Sequence, residues 1–347
     1  MKCNLDCTYC PTGIYGGHDN SQRHPALADC LKTIDFMFEY ADAYMAGKPR
    51  GIKYVILNVY GGEALYHPNI VEILNAVQER YRPYKDRWHL TVTTTTNAVI
   101  PPHRLEQIIS LIDEFTVSYH TESTETQKQL FQKNVLQIKS AGRRIKCVVM
   151  MHSDAERFQD AQVMIDWLQH HNIRHLPKQL DHAPEHDFNY NQQQVVWFEK
   201  FYQTPLDHAV IKNNKADLAD TGRACCGGRK LCVNQNRHEP QKFVLNKFPG
   251  WYCSVNHFFL YVKQVNGEVY VNKDCKMNFD GTVGPIGNLA DTVTILTQAR
   301  DPAKPVIRCA KSKCNCGLCA PKAADLDTYQ TIMRKYEISN TDLLSQS

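Results

Sequence analysis

The sequence predicts an α/β fold built on a parallel sheet, followed by a small cysteine-dense α+β region. Three observations carry this. Strand-like apolar runs alternate with amphipathic helical stretches from about residue 25 to 180. Each pair of strands is separated by a helix, the spacing of right-handed β-α-β units. Finally, nine of the 14 cysteines fall between Cys225 and Cys319, so the chain changes composition in its last third.

In order, Leu27, Cys30, Leu31, Ile34, Met37, Phe38, Ala41 and Met45 recur at three- and four-residue steps and predict a helix ending near Gly47. Tyr54 to Tyr60 has strand composition, and Pro68 opens a helix carrying Ile70, Ile73, Leu74, Val77 and Tyr81. A second strand covers His89 to Thr95, followed by a helix with Leu105, Ile108, Ile109 and Ile112. A third strand runs from Phe115 to Tyr119. The next helix starts at a Thr124-x-x-Gln127 capping box and stops at Gly142. Ile145 to Met151 is the fourth strand, and Ser153-x-x-Glu156 is expected to cap the helix carrying Phe158, Ala161, Ile165 and Leu168. The fifth strand spans roughly Ile173 to Gln179. Asn191 to Tyr202 forms one further helix. Beyond residue 224 only short strands are expected, the clearest being Phe258 to Val262 and Glu268 to Val271, joined at Val265-Asn266-Gly267. The last twenty or so residues read as a helix and a polar tail. In parallel sheets chemistry gathers at the C-terminal strand ends, so residues there are the first candidates for function.

Composition narrows the function. Of 347 residues, 40 are Lys or Arg and 36 are Asp or Glu, a net charge of +4, spread too evenly to single out nucleic acid or an anionic membrane as partner. A hydrophobic content of 43% suits globular cores, and no apolar run approaches the roughly 18 residues of a membrane span. The opening residues lack the basic, apolar and small-residue order of an export signal. The cysteines are therefore expected as metal or redox ligands in a reducing cytoplasm rather than as disulfides.

Cys3-Asn4-Leu5-Asp6-Cys7-Thr8-Tyr9-Cys10 is C-x-x-x-C-x-x-C. Zinc wants a fourth ligand, and the nearest candidate is His18. Three thiolates on one tight loop suit an iron–sulfur cluster with one iron left open. With an aromatic residue before the third cysteine, the triplet resembles the signature of radical S-adenosylmethionine (radical SAM) enzymes. Gly61-Gly62-Glu63 after the first strand resembles that family's G-G-E motif. Thr96-Asn97 and Ser118, at the ends of the next two strands, resemble its polar contacts to SAM. The resemblance covers about residues 1 to 180. It implies a partial (β/α)6 barrel in which Cys3, Cys7 and Cys10 hold a [4Fe–4S] cluster. SAM chelates the open iron, and reductive cleavage yields a 5′-deoxyadenosyl radical that abstracts hydrogen from substrate. It further implies that Tyr9 packs beside the cluster and adenine and that Gly61, Gly62 and Glu63 hold the methionyl amino group. Thr96, Asn97 and Ser118 then contact its carboxylate or the ribose. Two departures stand out. Only Met1 and Lys2 precede Cys3 where the family carries a strand: a lost strand, a displaced chain start or another segment on that sheet edge are all open. The stretch from Arg144 to Val149 also lacks the family's glycine. Cys30 and Cys147 lie on apolar faces and read as core.

The remaining cysteines are Cys225, Cys226, Cys232, Cys253, Cys275, Cys309, Cys314, Cys316 and Cys319. Four thiols within Cys309 to Cys319 point to ligation, by zinc or iron–sulfur on chemistry alone. Cys253, the hairpin at Gly267 to Tyr270, Cys275 and Ile286 to Leu289 resemble the SPASM or twitch extensions of radical SAM enzymes. That resemblance implies one or two auxiliary [4Fe–4S] clusters, although Asn272 stands where a second cysteine belongs. The organisation read from this is a barrel over 1–185, a connecting helical segment over 186–223, the auxiliary domain over 224–325 and a helix and tail over 326–347. The activity implied is hydrogen abstraction from a peptide or protein side chain, with electrons from a donor such as flavodoxin or ferredoxin. The alternatives are a sugar or alcohol dehydrogenase or epimerase, and a non-catalytic iron–sulfur relative.

Overall fold

A computed structural model describes residues 3–10, 24–46, 54–180, 188–203, 250–264, 266–272, 278–279, 281–300, 305–309, 322–331 and 333–334. These divide into two compact units. The first takes the described residues within Met1–Leu27, Val55–Glu79 and Leu90–Asp217. The second takes those within Ala28–Tyr54, Arg80–His89 and Leu218–Ser347.

The first unit is a sheet of five strands, β1 (Tyr54–Val59), β2 (His89–Thr96), β3 (Glu114–His120), β4 (Arg144–Met151) and β5 (Arg174–Gln179), ordered as in the sequence. Neighbours from β2 to β5 run parallel. The strands sit where the sequence places them, and the partial-barrel α/β class holds. Among the described residues no strand pairs with the outer edge of β1, so five strands stand where the full (β/α)6 pattern has six.

The pleat sorts the side chains. Tyr119 of β3 lies edge-on to Phe131, 5.2 Å between ring centres, and donates a hydrogen bond to Asp160 Oδ2 at 3.0 Å. Phe131 belongs to the helix Glu125–Ser140 and Asp160 to the helix Ala155–His170. Phe115 and Val117 share Tyr119's face and are fully buried, as are Cys147, Val149 and Met151 on β4. Each such side chain contributes about 1.5–3 kcal/mol of burial. Cys147 is thus a core residue, as its apolar surroundings in the sequence imply. Ser118 and His120 point to the opposite face.

Both halves of the capping box form: Gln127 N donates to Thr124 Oγ1, and Gln127 Oε1 accepts from Thr124 N. The cap of the next helix differs from expectation. Asp154, not Ser153, is the N-cap, its carboxylate accepting from Arg157 N at 3.0 Å. A carboxylate is the stronger acceptor at the positive end of a helix.

The second unit is discontinuous along the chain. Helix α1 (Leu27–Ala46) sends Phe36, Tyr40 and Ala43 into one core with Cys253, Val255, Val262, Val269, Val271, Ile286, Ile295 and Ile307. Two small antiparallel sheets complete it: β6 (Tyr252–Cys253) flanked by β10 (Ile307–Arg308) and β11 (Lys322–Ala323), and β7 (Tyr261–Lys263), β8 (Glu268–Tyr270) and β9 (Gly287–Asn288). The expected strand at Phe258 begins only at Tyr261. Residues Val255–Phe258 instead form a helical turn, in which Asn256 Nδ2 donates to Phe279 O and Pro305 O. A short apolar run does not separate helix from strand by period, and the buried Asn256 decides it. Cys30 is buried in this unit.

Candidate functional site

The C-terminal ends of β2 to β5 meet the cysteine loop. Cys10 N donates to Cys7 O at 3.1 Å, closing a turn with Thr8 and Tyr9 at its centre. Cys7 and Tyr9 are buried, packed with Leu180 after β5 and flanked by Met150 of β4 and Phe188. Tyr190 ties this rim together: its hydroxyl donates to Met151 O at 2.6 Å and accepts from Leu180 N at 2.8 Å.

The loop is anchored at two points, each just after a cysteine. After Cys3, Asn4 accepts from Asn97 Nδ2 at 2.7 Å and donates through its own amide to Val99 O. Asn97 Nδ2 also reaches Cys3 Sγ at 3.8 Å, while Asn97 Oδ1 accepts from Val99 N at 2.9 Å. After Cys7, Thr8 N and Thr8 Oγ1 donate to the two carboxylate oxygens of Glu122, at 2.8 and 2.6 Å. Arg157 Nη1 donates to Glu122 Oε1 at 2.7 Å.

Beneath the first anchor lies Glu63, wholly buried. Its Oε1 accepts from Thr96 Oγ1 at 2.8 Å and Leu65 N at 3.1 Å, and its Oε2 accepts from Asn97 N at 2.6 Å. The chain turns from β1 into this site through Gly61 (φ 116°) and Gly62 (φ 51°), conformations that favour glycine. Burial raises the Glu63 carboxyl to about 7 against the opposing hydrogen bonds from Asn97, Thr96 and Leu65. Behind Asn97, Ala98 adopts φ 55°, and the buried Asn134 holds it there by donating to Ala98 O and Ile100 O, both at 2.8 Å.

His120, the last residue of β3, stands against the loop. Its Nδ1 lies 3.0 Å from Tyr9 Oη and 3.4 Å from Cys7 Sγ, and its ring stacks on Tyr9. Burial lowers its pKa to about 4, so the ring is neutral near pH 7.

The donor set fits a cluster better than a single ion. Burial pushes the Cys3 and Cys7 thiols up, and the neighbouring thiols of the triplet add to it. Buried thiolates call for a cationic partner, which irons supply. Among the described residues no three Cys, His, Asp or Glu side chains converge as a one-ion site. A cluster that takes one thiolate per iron does not ask them to.

The sequence-derived candidates thus separate. Cys3, Glu63, Thr96 and Asn97 form one bonded chain, with Gly61 and Gly62 as its turn. Cys7 and Tyr9 form a second group, against His120. Ser118 is buried two residues before His120, opposite Val148 of β4. Asn4, Thr8, Glu122, Arg157 and Asn134 carried no sequence signal beyond ordinary polar composition. In the second unit, Cys253 lies opposite Ile307. Cys309 exchanges backbone hydrogen bonds around Trp251, donating to Trp251 O at 2.8 Å and accepting from Gly250 N at 2.7 Å. The two buried cysteines therefore share a sheet face as diagonal neighbours. Cys225, Cys226, Cys232, Cys275, Cys314, Cys316 and Cys319 lie outside the described residues.

Residues 1–151 match the model of the radical SAM superfamily. No curated protein matches the sequence. Among solved structures, native anSMEcpe with bound AdoMet is 12% identical, with a TM-score of 0.54 over 86% of this chain and 79% of that one. The same protein with AdoMet and the Kp18Cys peptide gives 12% identity and 0.54, over 86% and 78%. At that identity the likeness is one of fold.

Proposed function

We propose that the chain, whose residues 1–151 match the radical SAM superfamily model, is an enzyme of that class that abstracts hydrogen from a peptide or protein side chain. Cys3, Cys7 and Cys10 would hold a [4Fe–4S] cluster. Such a cluster supplies an open iron for SAM and the electron that cleaves it to a 5′-deoxyadenosyl radical. The single observation that carries the reading is the bonded chain from Cys3 through Asn97 to the buried Glu63. It sets an ionisable carboxyl beside the loop at the C-terminal strand ends.

In this reading the chain's own residues bind and orient. Gly61 and Gly62 let the backbone approach the methionyl group closely. Glu63 Oε2 has a lone pair beyond the one used by Asn97 N, and an ammonium placed there would hold the carboxyl ionised. Thr96, Asn97 and Ser118 add polar contacts, and Tyr9 closes the loop side of the adenine site. The peptide complexes of anSMEcpe support a peptide substrate here. Cys253 and Cys309, diagonal neighbours on one face of a small sheet, support a second ligation site for one or two auxiliary clusters, completed by cysteines between Cys225 and Cys319. Electrons would come from a flavodoxin or ferredoxin in a reducing cytoplasm. Among the described residues no helix is long and apolar enough to cross a membrane.

The test is 5′-deoxyadenosine formation from SAM by anaerobically reconstituted protein with a strong reductant. Formation that disappears in the Cys3→Ala, Cys7→Ala, Cys10→Ala triple variant is expected. A loaded N-terminal cluster that yields none would overturn the proposal in favour of a non-catalytic iron–sulfur relative.

A further inference from the structure

We propose that Glu122 and Arg157 are positioning residues that preset the Cys7–Cys10 turn for cluster capture and retention, an inference that rests on the cysteine triplet being the cluster site. Thr8 is one of the two residues between the thiols, and Glu122 grips it twice. One carboxylate oxygen takes the backbone N–H of Thr8 and the other takes its hydroxyl, at 2.8 and 2.6 Å. Together these fix the backbone and the χ1 of a single residue. Arg157, near the start of the helix Ala155–His170, then fixes Glu122 through a 2.7 Å bond. Arg157 Nη1 also lies 3.1 Å from His152 Nε2, and His152 Nδ1 accepts from Asp154 N at 2.9 Å. The grip therefore runs from the loop through the segment after β3 to the capped end of a helix.

Three features argue for a task beyond packing. The Glu122 side chain is only 9% exposed, yet it is a charged group devoted to a surface-lying threonine. Both of its oxygens accept from one residue of an eight-residue loop, and one of them also takes Arg157. Thr8 lies between Cys7 and Cys10, so fixing it sets how the two thiols converge before any iron arrives. Presetting a loop removes ordering entropy that binding would otherwise cost, and this shows chiefly as slower release.

The test compares wild type with Glu122→Ala, Thr8→Val, Thr8→Ser and Arg157→Ala. Each is reconstituted anaerobically, and cluster loss to a ferrous chelator is followed by absorbance. The triple cysteine variant supplies the signal of any other clusters. Thermal unfolding of each apo-protein runs in parallel. Loss of two charge-assisted hydrogen bonds predicts at least about tenfold faster release in Glu122→Ala. Thr8→Val and Arg157→Ala should fall between, and Thr8→Ser, which keeps both donors, should match wild type. The apo-protein melting temperatures should not track these rates. Wild-type rates in Glu122→Ala and Thr8→Val would overturn the proposal, as would rates that simply follow the melting temperature. If wild type holds no cluster that depends on the triplet, the underlying reading fails instead, and the comparison with the triple variant reveals it directly.

Discussion

The two anchors of the cysteine loop do the same mechanical job with different physics. At Asn4 the partners are neutral amides over a buried carboxyl. Asn97, Val99 and Glu63 all lie just beyond the C-terminal ends of β1 and β2, away from water. At Thr8 the partner is a carboxylate, itself paired with a guanidinium, and the Arg157 side chain is 40% exposed. Buried neutral networks are insensitive to salt but costly to leave unsatisfied, whereas a half-exposed ion pair is weak and screened. The anchors should therefore fail under different conditions.

The largest expected effect is on pH. Burial raises Glu63 to about 7 from its ordinary 4.5, so between those values the folded chain keeps a proton that the unfolded chain has released. The Glu63 contribution to stability should fall as pH rises through that interval, by about 3 kcal/mol in all, while His120, lowered to about 4, contributes a rise over much of the same range. Denaturant unfolding from pH 4.5 to 8 measures this. Wild type and Glu63→Gln share the His120 contribution, so the difference between them should carry the Glu63 fall, and an identical pH dependence in the two would break the contrast. SAM binding to the proposed site follows the same proton. If an ammonium holds Glu63 ionised, affinity should weaken by up to about tenfold per unit as pH drops below 7, and equilibrium dialysis would detect it.

Next in size, Asn97→Ala removes the amide bonds to Asn4, Val99 and Cys3. Leaving buried partners unsatisfied should cost about 2 kcal/mol of stability in chemical denaturation, independent of salt. Ala98→Gly, which relieves a left-handed alanine at the same anchor, should return at most about 1 kcal/mol. The smallest effect belongs to the other end. Raising salt from about 0.05 to 0.5 M should accelerate cluster loss only about twofold, through the Glu122–Arg157 pair. That increment should vanish in Arg157→Ala. An equal salt response in Asn97→Ala and Arg157→Ala would mean the two anchors are not physically distinct.

Much of the first unit was legible because local rules and tertiary packing agree there. The five strand positions, the Thr124 capping box and the glycines after β1 all follow from period, capping chemistry and backbone freedom. The Asp154 cap was missed because two adjacent acceptors compete and only geometry ranks them. Asn97 illustrates a deeper limit. Its place at a strand end marks it as a candidate ligand contact, but no sequence rule shows that its side chain also ties Asn4, Val99 and Cys3 together. The Thr8–Glu122–Arg157 grip left no trace in the sequence because its partners are separated by more than a hundred residues along one link. No periodicity or spacing rule spans such a distance. The placement of α1 with Val255, Ile295 and Ile307 is invisible for the same reason.

That last feature bears on how the protein is made and how it can be recombined. Phe36, Tyr40 and Ala43 leave the ribosome early, but the core they complete is translated roughly two hundred residues later. At a synthesis rate of about 5–20 residues per second, this is a delay of about 10–40 s. Throughout it the helix carries an apolar face without its native cover, a natural client for a holdase. For the same reason a single crossover that grafts the C-terminal third onto another barrel would import a core lacking one wall. Only an exchange that carries α1 along with it transfers the unit whole.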